Sequence, residues 1–165
     1  MIDNQLQWLK MNAKTAVRTI PELKLAYISY QGNINLIGSV YNKLMQWAFP
    51  KGLMQQKDLR MVTIYHDSVK NTAVDKIRMS ACMTLNMPIE TSGEIKFKIQ
   101  PEIKCIVSSL EINLSEFKQA WEASYAWMNE QGFKKANQDS FAIYYNNPEE
   151  HPEGKSIVDI CIPIQ

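Results

Sequence analysis

Met61 to Leu85 reads MVTIYHDSVKNTAVDKIRMSACMTL, and Phe141 to Gln165 reads FAIYYNNPEEHPEGKSIVDICIPIQ. Each stretch is a β-rich run, a polar turn rich in Asp or Asn, and a second β-rich run. Ile64-Tyr65-His66-Asp67 aligns with Tyr144-Tyr145-Asn146-Asn147 at an offset of 80 residues. The same offset relates Pro21-Glu22 to Pro101-Glu102, Ser29 to Ser109, Asn33 to Asn113, Asn35 to Ser115, Trp47 to Trp127 and Gly52 to Gly132. One spacing shared by so many turn-forming and aromatic residues marks a duplication. Two copies are too few for a solenoid, so the duplicated unit is expected to close one core.

Working outward from the hairpins, Thr19–Tyr30 reads as a strand, with Pro21 keeping its start extended. Asn35 is placed to cap a helix running to Ala48, whose Leu36, Ile37, Val40, Tyr41, Leu44 and Trp47 form an apolar stripe. In the second copy Glu94–Ile99 and Ile103–Leu110 read as strands. Ser115 caps a helix with the stripe Leu114, Phe117, Trp121, Tyr125 and Met128. Residues 1–18 read as an N-terminal arm and residues 19–165 as a single domain, with repeats at about 19–86 and 94–165. The expected fold is α+β. A duplicated β-α-β-β repeat forms an antiparallel sheet, two long helices pack on it, and a cleft opens at the pseudo-twofold seam. Seams of this kind are common ligand sites.

Composition narrows the function classes. With 18 basic and 17 acidic residues the net charge is +1, which gives no electrostatic footprint for nucleic acid or an anionic membrane. No apolar run is long enough to cross a bilayer, and the N-terminus does not read as a secretory signal. Cys82, Cys105 and Cys161 lie singly in strand-like runs and read as reduced, packed thiols, which fits the cytoplasm. The motifs of nucleotide binding, nucleophilic hydrolysis and zinc proteolysis are missing. His66 and His151 lie in equivalent turns without ligand-spaced partners, so neither a metal nor a cofactor is expected.

The aromatic residues say more. Tyr27, Tyr30, Trp47, Tyr65, Trp127, Tyr144 and Tyr145 lie on elements that converge on the seam. Each can be core packing; together they can wall a site for an aromatic or cationic guest. Asp159 interrupts the apolar run Ile157–Ile162, and a carboxylate there must reach water, a partner or a ligand. Arg78, in the matching strand of the first copy, is a candidate partner for Asp159, Glu102 or Glu111.

These pieces resemble the GyrI-like effector-binding domain, the ligand-sensing module of AraC-type and MerR-type bacterial regulators and of stand-alone gyrase-inhibitory proteins. The resemblance rests on Ile20-Pro21-Glu22 with Leu25-Ala26-Tyr27, Trp47 with Gly52, and Ile64-Tyr65-His66-Asp67. It continues through Arg78–Cys82, Trp127 with Gly132, Tyr144–Pro148 and Asp159-Ile160-Cys161-Ile162-Pro163. It implies a pocket for small lipophilic molecules, cations among them. The family commonly carries a glutamate after the aromatic residue that starts the penultimate strand; here that position is Ala142, so the acid expected to neutralise a cation or support hydrolysis is missing.

Three functional readings follow. The first is a stand-alone effector-binding module of the multidrug-binding type. Its ligand residues are Tyr27, Tyr30, Trp47, Tyr65, Trp127, Ala142, Tyr144 and Asp159, it has no catalytic residue, and it does not touch nucleic acid directly. The second is a protein-interaction role beside gyrase or a regulator. The third is a small-molecule hydrolase, which would need a base near the aromatic box.

Overall fold

Pro21 and Pro101 interrupt what would otherwise be two long strands, because each removes a backbone donor and holds its predecessor extended. Strand β1 (Ala13–Ile20) ends before Pro21-Glu22 and β2 (Leu23–Gln31) begins after it; β5 (Lys96–Gln100) and β6 (Ile103–Ile112) flank Pro101-Glu102 in the same way. The computed structural model describes residues 2–165, with side chains from Asn4 onward. The chain divides into two compact units at these two prolines: the residues up to Ile20 with Ile103–Gln165, and Pro21–Glu102.

The unit formed by Pro21–Glu102 is a four-stranded antiparallel sheet in the order β3 (Met61–Tyr65), β4 (Arg78–Leu85), β2, β5. Helix α2 (Gly38–Ala48) packs on β2 and β4 through Val40, Leu44 and Ala48. The second unit has the order β1, β6, β8 (Ser156–Pro163), β7 (Ser140–Tyr144), also antiparallel. Helix α3 (Phe117–Glu130) packs on β6, and α1 (Ile2–Asn12) packs on α3 and β1.

Each unit is therefore a β-α-β-β repeat plus an edge strand that precedes the other repeat in sequence. Ile20 lies opposite Ile103, and Gln100 lies opposite Leu23. Both pairs map onto each other at the offset of 80, so the edge strands are equivalent and identically registered. Of residues 1–18, expected as an arm, the described residues 2–18 form α1 and most of β1. The stretch Thr19–Tyr30, read as one strand, is the end of β1, a break and β2.

The closing hairpins depart from that offset. Met61 pairs with Met83, and Ser140, 79 residues after Met61, starts the matching strand β7. His66 N–H donates to the Arg78 carbonyl and Tyr145 N–H to the Ile157 carbonyl, again 79 apart. The second copy is one residue shorter between Gly132 and Ser140 than the first is between Gly52 and Met61, where the first copy carries the 3-10 turn Leu53–Gln55. Tyr65 thus corresponds to Tyr144, His66 to Tyr145 and Ser80 to Asp159.

The caps sit earlier, and the α-helices themselves start later, than Asn35 and Ser115 suggest. Asn33 accepts from the Asn35 N–H at 2.9 Å and caps a 3-10 turn, Ile34–Leu36, ahead of α2. Asn113 and Glu116 form a capping box around Leu114–Glu116 ahead of α3.

Candidate ligand-binding site

Alternation along β7 sends Ser140, Ala142 and Tyr144 toward α3 and Phe141, Ile143 and Tyr145 to the opposite face. The α3 side is fixed by two hydroxyl contacts: Tyr125 with Ser140 at 2.8 Å, and Ser108 of β6 with Ser124 at 2.9 Å. Thr15 of β1 extends the second contact, with its hydroxyl 3.2 Å from Ser108. Phe117 and Tyr144 meet with ring centres 6.2 Å apart and planes tilted by 42°; Trp121 and Tyr125 lie 6.4 Å apart. Such tilted pairs are the favoured arrangement of aromatic quadrupoles. Burial raises the Tyr125 phenol above its ordinary range. Ala142 lies fully buried on this face. The face is therefore aromatic, lined by hydroxyls and free of charge.

Asp159 stands on the opposite face of the same sheet, only 5% exposed. Its Oδ1 accepts from the Ser109 hydroxyl at 2.6 Å and its Oδ2 from the Tyr145 hydroxyl at 2.7 Å. Arg18 on β1 adds an ion pair at 3.8 Å. Burial, followed by the hydrogen bond to Asp159, pushes the Tyr145 phenol up, so it remains a donor at any ordinary pH. The arginine beside Asp159 is thus Arg18, where the sequence suggested Arg78. Arg78 grips Asp67 at 2.7 Å and 3.0 Å, a bidentate contact local to its own hairpin.

In the Pro21–Glu102 unit the predicted aromatics occupy distinct places. Tyr65 is buried on the α2 side of β3. Tyr30 donates its hydroxyl to the Asn33 carbonyl at 2.8 Å and closes the turn after β2. Trp47, on α2, has the Lys51 ammonium 5.4 Å from its ring centre. Tyr27, on the face of β2 away from α2, has Lys98 at 5.2 Å. Tyr41 was foreseen only as part of the helix stripe, yet its hydroxyl meets Thr63 at 2.6 Å and the Val62 carbonyl at 2.7 Å. Trp127, in the other unit, stacks on Phe133 at 6.4 Å, near the end of α3 opposite to Phe117.

The sequence singled out Asp159, and named Tyr145 only among the seam aromatics, but did not connect Asp159 with Arg18, Ser109 or Tyr145. The only available signal was the shared Ser29/Ser109 position. Among the described residues no group of three His, Cys, Asp or Glu side chains is arranged to hold a metal ion. All three thiols are buried, and burial pushes Cys82 and Cys105 up to about 12, so they persist as thiols.

Four solved structures, of three proteins, share this fold. EcmrR in its DNA complex matches with TM-score 0.83 and 17% identity over 99% of this chain, which spans 63% of that chain. The isolated EcmrR C-terminal domain matches at 0.74 and 16%, over 93% of this chain and 98% of that one. A hydrolase from Listeria innocua matches at 0.61 and 11% over 99% and 98%, and SAV2435 bound to tetraphenylphosphonium at 0.53 and 12% over 92% and 94%. At these identities the likeness establishes the fold. No curated protein matches the sequence. The model of the GyrI-like small molecule binding domain matches residues 14–165, nearly the whole chain and every strand of both repeats, and the chain belongs to that family.

Proposed function

We propose that this chain binds small lipophilic, drug-like molecules against the helix-side aromatic faces of its two repeats, and that binding rather than catalysis is its activity. The observation that carries this reading is the uncharged α3-side face, where Phe117, Tyr144 and Tyr125 stand around Ala142. Aromatic rings with a few rotatable hydroxyls are what a lipophilic guest needs: dispersion over a flat surface and a small number of orienting hydrogen bonds. Tyr144 and its counterpart Tyr65 are the central ligand residues, supported by Trp47 and Trp127. Tyr27 offers a separate platform on the far face of β2. Tyr30 holds a turn, and Asp159, both oxygens engaged, holds the sheet. SAV2435, which shares the fold, is bound to tetraphenylphosphonium, a molecule of this lipophilic class. Membership of the GyrI-like small molecule binding domain family supports a small-molecule-binding role.

The experiment is a thermal-shift screen of the full chain against lipophilic aromatics, followed by calorimetry. A ligand at a hundredfold over its Kd adds about 2.7 kcal/mol. Tyr144→Ala is expected to weaken any hit about tenfold or more, by loss of one aromatic contact. A screen in which no compound raises the midpoint overturns the reading.

A further inference from the structure

A guest that leaves water for either aromatic face meets a particular charge environment. Among the described residues Asp159 is the only buried carboxylate. Ser109 and Tyr145 take its oxygens, and Arg18 lies 3.8 Å away. Three further carboxylates are partly exposed. Asp67 is clamped by Arg78, Glu116 accepts from the Asn113 N–H in its capping box, and Glu122 on α3 keeps access to water. The equivalent floor positions, Thr63 and Ala142, are both fully buried and both uncharged.

Among the described residues, Trp47 and Tyr27 carry cations on their rings. Lys51 stands over Trp47 on the helix side, so a negative ring face that would attract an ammonium or phosphonium is already used. Lys98 stands over Tyr27 on the far face of β2, so a cation diverted from the helix side finds that platform occupied as well. A cation arriving at either place would lose hydration, find no buried counter-charge and meet an ammonium of like sign.

Building on the small-molecule reading above, we propose that this chain selects uncharged aromatic molecules bearing a hydrogen-bonding oxygen, and discriminates against lipophilic cations. The Tyr125 and Ser140 hydroxyls, paired with each other at 2.8 Å, can turn to serve such an oxygen without a charge partner. Lys51 and Lys98 are the specificity-determining residues, and Ala142 is the position where a carboxylate would reverse the choice.

The test titrates three probes of similar bulk against the full chain by calorimetry: triphenylphosphine oxide, tetraphenylphosphonium and tetraphenylborate. The oxide is expected to bind about tenfold or more tighter than the phosphonium, the range spanned by one unfavourable ring–cation contact. In the Lys51→Gln/Lys98→Gln variant, both changes at side chains with solvent access, the gap narrows. Ala142→Glu raises phosphonium affinity above that of the oxide; should it fail to fold, the lysine variant carries the test. Tighter binding of the phosphonium or the borate than of the oxide by the wild type overturns the selectivity and leaves small-molecule binding standing. An unchanged gap in the lysine variant overturns the assignment to Lys51 and Lys98. Binding of none of the three, with a blank thermal-shift screen, overturns the small-molecule reading itself.

Discussion

Ser80 and Asp159 occupy the same position in the two repeats, 79 residues apart, and each is held by the residue that starts its hairpin turn: Ser80 by His66 at 2.7 Å and Asp159 by Tyr145 at 2.7 Å. Duplication kept the place and the contact while the chemistry changed from Ser–His to Asp–Tyr. In the second repeat the buried charge takes two hydroxyl donors, and hydrogen bonds to an ionised acceptor stabilise more than neutral ones.

Asp159→Asn is expected to cost about 2 kcal/mol in urea unfolding, because it removes the charge that Ser109, Tyr145 and Arg18 are arranged around. Tyr145→Phe is expected to cost about 1 kcal/mol, one donor lost at a half-exposed side chain. The double change Asp159→Ser/Tyr145→His, which copies the first repeat, should recover part of the loss. If Asp159→Asn leaves the midpoint unmoved, the carboxylate does not hold the sheet.

Asp67 supplies the acid-side prediction. The Arg78 guanidinium, and then the Arg78 backbone N–H, hold its carboxyl at about 2 against an ordinary 3.8. A depressed folded value means the contribution is complete above 3.8 and disappears as pH falls toward 2. Because the pair is solvated, salt weakens it. NMR titration of the Asp67 carboxyl should give a midpoint near 2 in the wild type, moving up toward the ordinary 3.8 in Arg78→Ala without reaching it, because the backbone N–H of residue 78 still donates. A wild-type midpoint already at the ordinary value rules out the clamp in solution.

The duplication, the α+β class and both helix stripes were legible because they depend on local periodicity and on turn residues that only certain conformations accept. The closing strands misled by one residue. Carrying the offset of 80 into the hairpins puts Ile64 on Tyr144, whereas the ladder puts Tyr65 there. Strand β1 was hidden because an edge strand needs little apolar content: Lys14, Ala16, Arg18 and Thr19 face water. The surroundings of Asp159 could not be read from the sequence, because Arg18, Ser109 and Tyr145 come together only through sheet order. Helix caps at Asn33 and Asn113 lost to Asn35 and Ser115 because Asn and Ser both cap well.

Alkaline pH tests the packing of the thiols. Burial raises Cys82 and Cys105 from 9.0 to about 12, and raises Cys161 in the same direction. A raised folded value means full stability below 9.0 and progressive loss as pH climbs toward 12, because the unfolded thiols ionise first. The native protein should therefore resist a thiol reagent at mildly alkaline pH and react with it only on the unfolding timescale. Replacing Cys82 by Ala should flatten the alkaline decline and cost about 1 kcal/mol through the cavity it leaves. Rapid modification of the folded protein would show that these strands open readily.

Removing the chain before Pro21 separates a decorative arm from a structural one. Deleting residues 1–12 takes away α1, whose Leu9 is 1% exposed, and burial of one such side chain is worth about 1.5–3 kcal/mol. That variant should still fold, with a lower midpoint. Deleting residues 1–20 also takes away β1. The whole edge of β6 from Ile103 to Leu110 then loses its ladder, Asp159 loses Arg18, and Ser108 loses the Thr15 hydroxyl. An unpaired, apolar strand edge is an invitation to aggregate. The longer deletion is expected to yield insoluble protein or a non-cooperative melt. Circular dichroism and size-exclusion chromatography would decide it. A soluble, cooperatively melting 21–165 fragment would mean that β6 tolerates an open edge and that β1 is dispensable to its unit.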